Sequence, residues 1–124
     1  MYEYRARCVN VVDGDTFDLE VDLGFNIVHT IRIRLKDKDT PEPRSKNAAE
    51  REHAKQATTF VVDQILEPCA HAMCAGHPLT IKTEKDKIGI YGRYTATVTL
   101  EDGRDLGTLL EDNGLLKKAE YPDS

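Results

Sequence analysis

Tryptophan is absent from the 124-residue chain, aromatics make up only 6% of it, and no apolar run approaches the length that spans a bilayer. The cysteines are three, Cys8, Cys69 and Cys74, an odd number that fits a reducing compartment better than a disulfide framework. Positive charge is not in surplus: seventeen Lys plus Arg against twenty-two Asp plus Glu leave a net charge of −5. That balance argues against a protein that holds nucleic acid tightly through bulk charge. The start, Met1-Tyr2-Glu3-Tyr4-Arg5, lacks the apolar core of a signal peptide, so a soluble, cytoplasmic protein is expected unless a leader has been removed. What is present, 40% hydrophobic residues over this length, suffices for one core, and a single domain over 1–124 is expected.

Apolar and polar residues alternate over 2–12 and again over 17–21, as half-buried strands require, with Asp13-Gly14 as the turn signal between them. Turn chemistry at Leu23-Gly24-Phe25-Asn26 precedes a third strand over 27–35. There Ile31, Ile33 and Leu35 share one face, while Arg32 and Arg34 share the other. Pro41 and Pro43 break regular structure. From about Lys46 the recurrence of Ala54, Ala57, Phe60, Val61 and Ile65 predicts an amphipathic helix running to about Leu66, interrupted by Pro68. Further strands are predicted over 79–83 and 91–100, with a charged loop over 84–90 between them. Asp102-Gly103 turns the chain into a short helix over 106–113 that Gly114 ends. Three strands, a helix, two strands and a helix suit a small Greek-key barrel, an α+β domain that is mainly β.

Two acidic segments carry the chemistry. Asp13-Gly14-Asp15-Thr16 and Asp39-Thr40-Pro41-Glu42 fall where strands end, and Arg34 stands five residues before Asp39. Carboxylates are hard oxygen ligands that suit Ca²⁺ or Mg²⁺, and a guanidinium fork matches a phosphate better than an ammonium does. Taken alone, either acidic segment reads as a turn. The first is not an EF-hand loop, because Phe17 occupies a ligand position. Together with Arg34 and Tyr91-Gly92-Arg93 they form an ordered set.

That set resembles the staphylococcal (thermo)nuclease family. Val12-Asp13-Gly14-Asp15-Thr16 is similar to the first motif of the family, Arg34 through Glu42 to the second and Tyr91-Gly92-Arg93 to the third. Asn113-Gly114-Leu115 resembles the end of its late helix. The resemblance covers about residues 4–121 and implies a five-stranded OB-fold Greek-key barrel with two to three helices. It implies Asp15, Asp39 and the Thr40 carbonyl as ligands of a Ca²⁺ cofactor, with Asp13 further out. It also implies Glu42 as the general base, and Arg34 and Arg93 as the groups that bind phosphate and offset charge in the transition state. Tyr91, Tyr121 and Lys87 are the implied substrate contacts. The implied activity is a Ca²⁺-dependent endonuclease acting on DNA and RNA. Single-stranded regions are favoured, sequence specificity is low, the ends left are 3′-phosphate and 5′-hydroxyl, and the protein is a monomer with no membrane partner.

The alternative from another class is a non-catalytic nucleic-acid or protein-binding module on the same barrel, against which the full retention of Asp15, Arg34, Asp39, Glu42 and Arg93 counts. The chain departs from the family in its acidity, in an inserted stretch over 69–78, in stopping at Ser124 without a further C-terminal helix, and in Gly107 where a buried Asn is common. The insertion holds Cys69, His71, Cys74 and His77, zinc-type ligands at a spacing that is no standard zinc finger. Structural zinc, a Cys69–Cys74 disulfide and a plain insertion all remain open there. His29 and His53 carry no partner signal and read as surface residues.

Overall fold

The computed structural model describes residues 2–67, 76–88 and 94–121, with the backbone alone described over 84–88. Five strands close into a barrel: β1 (Tyr2–Asp13), β2 (Thr16–Gly24), β3 (Ile27–Leu35), β4 (Leu79–Ile88) and β5 (Tyr94–Thr99). Around the barrel they run β1-β2-β3-β5-β4, and β4 returns to pair with β1. Every pair is antiparallel except β3 with β5. That parallel pair needs a long crossover, and the chain between them holds helix α1 (Ala48–Val61) and β4. The second helix among the described residues is α2 (Leu106–Asp112).

The alternation read from the sequence is the alternation of the barrel wall. Ala6, Cys8, Phe17, Leu19, Val21, Ile33, Leu35, Leu79, Ile81, Ala96 and Val98 point inward and are buried. Burial at roughly 25 cal/mol per Å² of apolar surface makes these alternate positions the main adhesive of the fold. Helix α1 closes one side with a stripe of Glu50, Ala54, Ala57 and Val61, and runs into a π-helical turn, Val62–Leu66, that buries Ile65. Helix α2 contributes Leu106 and Leu110. Its N-cap, Asp105, accepts from the Thr108 amide at 2.9 Å. Gly114, at φ +68°, ends it with a backbone that side chains rarely adopt. At Gly107 a Cβ would lie 2.9 Å from Cγ of Lys38, so a side chain there requires Lys38 to move.

Two expectations change. The charged loop expected over 84–90 is strand as far as Ile88, because Ile88 pairs with Tyr94 after a register irregularity that follows Thr83. Pairing with β5 on either side, Thr83 with Ala96 and Ile88 with Tyr94, brackets the charged residues and outweighs their weak strand preference, as sheet context commonly does. Residues 89–93, and with them the start of the strand expected from 91, lie outside the described residues. Second, His53 is not a free surface residue. It is half-buried, with Nε2 2.7 Å from the Gly114 carbonyl and Nδ1 2.7 Å from the Tyr121 hydroxyl. A carbonyl only accepts, so Nε2 carries a proton, and in the neutral tautomer Nδ1 accepts from the Tyr121 hydroxyl. The Tyr121 oxygen in turn accepts from the Lys118 amide at 3.1 Å. The segment after α2 is thereby pinned to α1.

Of the inserted cluster, Cys69, His71 and Cys74 lie outside the described residues. His77 is engaged on the barrel surface: its Nε2 is 3.0 Å from Oε1 of Glu20, and its carbonyl accepts from Nε of Arg5 at 3.0 Å. Among the described residues no helix is long and apolar enough to cross a membrane.

Burial pushes the Cys8 thiol up to about 11, with a smaller opposing pull from the backbone of Asn10 and a further push from the charge of Asp18. The folded form therefore holds that proton more tightly than the unfolded chain, whose thiol titrates near 9.0. The contribution of Cys8 to stability is complete below pH 9.0 and is lost as the pH rises toward about 11. With Cys69 and Cys74 replaced by serine, Cys8 is expected to resist iodoacetamide at pH 8 in the native protein and to react fully in urea. Rapid native labelling would show that the barrel interior opens.

Candidate active site

The β1–β2 turn and the segment after β3 meet at the mouth of an open cleft of about 1080 Å³. Asp13 pairs with Thr16, leaving Gly14 and Asp15 as the two-residue turn. The Asp15 amide donates to Oδ1 of Asp13 at 3.1 Å, fixing the turn from within. Strand β3 ends beside it, the Leu35 amide donating to the Asp15 carbonyl at 2.9 Å. The chain then bends at Asp37, whose φ is +58°, and comes back over the turn. There the Thr40 amide donates to Oδ2 of Asp15 at 3.1 Å. One hydrogen bond thus joins acidic segments that are 25 residues apart in the chain.

This closeness is why position 14 is glycine. A Cβ on Gly14 would stand 2.9 Å from Cβ, Cγ2 and Oγ1 of Thr40, inside any real contact. Gly14→Ala is expected to cost about 1–3 kcal/mol, the usual range for overpacking a tight site. Serine at position 40 should recover part of it by removing Cγ2. Urea denaturation of the single and double variants measures both, and additive losses would refute the contact as the cause.

Asp13, Asp15, Arg34, Asp39, Thr40 and Glu42 all line the cleft. Asp15 is buried and also accepts from the Thr16 hydroxyl at 3.0 Å, whereas the Asp39 side chain is 65% exposed. The Arg34 guanidinium donates to Oδ1 of Asp39 and lies 3.9 Å from Oδ2 of Asp15. Glu42 is exposed, and its Oε1 accepts from the Arg44 amide at 3.1 Å. Asp13 is pushed up to about 6, first by burial, then by the hydrogen bond and charge of Asp15, and further by Glu42. That crowding of carboxylates is electrostatic demand for a cation.

The donors are of the right kind for a hard divalent ion, two carboxylates and a backbone carbonyl, all oxygen. Thr40 adds a buried hydroxyl, Oγ1, that has no hydrogen-bond partner. Among the described residues no group of three or more His, Cys, Asp or Glu side chains is already arranged around one point as a metal site. By residue type alone, the oxygens of Asp15, Asp39 and Thr40 are donors that could hold Ca²⁺ or Mg²⁺.

Arg93 and Tyr91 lie outside the described residues, as does the side chain of Lys87, whose backbone belongs to β4. Tyr121 is bonded to His53 and Lys118 and does not line the cleft. Sequence reasoning gave no role to three cations that do line it: Arg32, Arg44 and Lys117. Arg32 is on the Arg34 face of β3, and its fork is taken up by Asp18 at 2.9 and 3.2 Å. That pairing holds Asp18 below the usual carboxylate range. Lys117 has no sequence signal at all, arriving from beyond α2 with its amide donating to the Asp39 carbonyl at 2.8 Å.

The chain matches no protein-family model and no curated protein. What it does therefore rests on the barrel and this cleft.

Proposed function

We propose that the chain is a Ca²⁺-dependent phosphodiesterase of the staphylococcal nuclease kind, built on an OB-type barrel. Its substrates in this reading are DNA and RNA, with single-stranded regions favoured and little sequence specificity. The observation that carries the reading is the joining of Asp15 to Thr40 by one hydrogen bond, with Asp39, Glu42 and Arg34 in the same cleft.

Roles follow from the chemistry. A phosphodiester is anionic and resists attack, so hydrolysis needs an activated water and compensation for charge growing on the phosphoryl oxygens. Bound at Asp15, Asp39 and Thr40, Ca²⁺ would supply Lewis-acid polarisation of the phosphoryl group. Glu42 is turned into solvent and is the acceptor for the proton of the attacking water. Arg34 offers its fork to the phosphate, and Arg93 is its partner in this reading. The new bond joins the water oxygen to phosphorus and the bond to the 5′-oxygen breaks. That oxygen leaves with a proton, giving a 3′-phosphate and a 5′-hydroxyl.

The cleft composition weighs against a non-catalytic nucleic-acid binder. Among the described residues its lining holds five carboxylates (Asp13, Asp15, Asp18, Asp39, Glu42) against four cations (Arg32, Arg34, Arg44, Lys117). An excess of negative charge repels a polyanion unless a cation is bound there. The test is incubation with single-stranded DNA in Ca²⁺, with Mg²⁺ and EDTA in parallel. Cleavage in Ca²⁺ that EDTA abolishes is expected, with end analysis returning 3′-phosphates. Intact DNA in Ca²⁺ would sink the reading.

A further inference from the structure

We infer that Glu50 is a positioning residue for the turn that carries Glu42, and that Lys117 extends the same clamp to Asp39. Glu50 is only 8% exposed and occupies the first turn of α1, on the stripe completed by Ala54, Ala57 and Val61. A carboxylate on such a stripe is costly unless its oxygens are satisfied. They are, by groups from the turn. Oε2 accepts from the Glu42 amide at 2.9 Å, and Oε1 accepts from the Ser45 hydroxyl at 3.0 Å. The Lys117 ammonium stands 3.5 Å from Oε2.

Helix capping does not account for this arrangement. The Asn47 side chain already accepts from the Glu50 amide at 3.1 Å, so the cap is complete without the Glu50 carboxylate. The pattern Asn47-Ala48-Ala49-Glu50 is that of a capping box, in which the glutamate would reach back to the amide of the cap residue. Here the Asn47 amide donates instead to Oγ of Ser45 at 3.1 Å. The carboxylate is left to hold residues 42 and 45, and the Ser45 amide closes the loop by donating to the Glu42 carbonyl at 3.2 Å. On the other side, the backbone of Lys117 holds Asp39 while its side chain reaches Glu50. The carboxylate proposed as base and one proposed as metal ligand thus depend on one buried anion, which its partners keep below the usual carboxylate range.

The catalytic half of this inference rests on the nuclease reading, whereas the structural half does not, and two measurements separate them. The first is amide hydrogen exchange. In Glu50→Ala, the Glu42 amide is expected to exchange at least tenfold faster than in the wild type. The Leu19 and Ala57 amides should keep their protection. Glu50→Gln retains an oxygen that can accept from the Glu42 amide and should restore most of that protection. If alanine at this position does not fold, leucine, which fills the apolar stripe but offers no acceptor to the Glu42 amide, is the variant to read, with the same faster exchange expected. The second is steady-state cleavage of single-stranded DNA in saturating Ca²⁺. Glu50→Ala is expected to lower kcat by up to about 10²-fold, the scale of loss for a reacting group displaced by about 1 Å. KM should move little, and glutamine should recover much of kcat.

An unchanged Glu42 amide in Glu50→Ala, or in Glu50→Leu where alanine does not fold, would overturn the clamp. A loss confined to KM would overturn its link to catalysis. Should the wild type cleave nothing while the exchange pattern appears as expected, the nuclease reading fails and the clamp stands.

Discussion

Glu42→Gln is expected to lower the Ca²⁺-dependent cleavage rate by about 10²–10⁴-fold, the usual contribution of a general base. Thermal stability and Ca²⁺ binding should barely change. The side chain is exposed and sits outside the barrel core, and its one carboxylate hydrogen bond among the described residues, from the Arg44 amide, is one that glutamine's oxygen can also accept. Position, size and the Glu42 amide bond to Glu50 all survive the substitution. What is removed is the proton affinity, together with one negative charge that acts on Asp13. The loss should therefore fall on kcat and leave KM for single-stranded DNA within a few-fold, as for a group that acts in the transition state. Isothermal titration with Ca²⁺ supplies the control. If glutamine abolishes Ca²⁺ binding, Glu42 belongs to the metal site and the division of labour among the carboxylates is wrong. If cleavage survives unchanged, another group takes the proton.

Much of the barrel was legible in the sequence because strands write their burial into alternate residues. Phe17, Leu19 and Val21, or Ile33 and Leu35, declare an inward face before any partner strand is known. The same logic failed for 84–88, where charged residues give no such signal and the pairing of Ile88 with Tyr94 decides. The cleft was half legible. Asp15, Asp39 and Glu42 sit in short segments whose turn chemistry and charge are local properties, and Arg34 announces its face by alternation along β3. Lys117 and the His53 pin could not be read this way. Each depends on the segment after α2 crossing back over distant parts of the chain, to Asp39 in one case and to α1 in the other. Glu50 lies between these extremes. Its spacing from Ala54, Ala57 and Val61 marks it as facing inward, which for a carboxylate signals unseen partners.

Arg34→Ala is expected to separate two properties that most substitutions at a metal site lose together. Its guanidinium reaches Asp39 and stands 3.9 Å from Asp15, so it offsets negative charge at both carboxylates proposed to hold Ca²⁺. Removing it leaves those carboxylates more anionic toward an arriving cation, and Ca²⁺ should bind at least as tightly as in the wild type. Cleavage should nevertheless fall by about 10²–10³-fold, the usual consequence of losing a fixed group that stabilises transition-state charge. Arg32 cannot step in, because Asp18 holds its fork through two hydrogen bonds. Lysine at position 34 returns the charge without the planar pair of donors, so it should bring Ca²⁺ affinity back to the wild-type value and recover the rate only in part. Calcium titration and single-turnover cleavage of the three proteins read the two properties independently. Weakened Ca²⁺ binding in Arg34→Ala would mean that the ion pair to Asp39 is needed to build the site, and that the arginine is not reserved for phosphate.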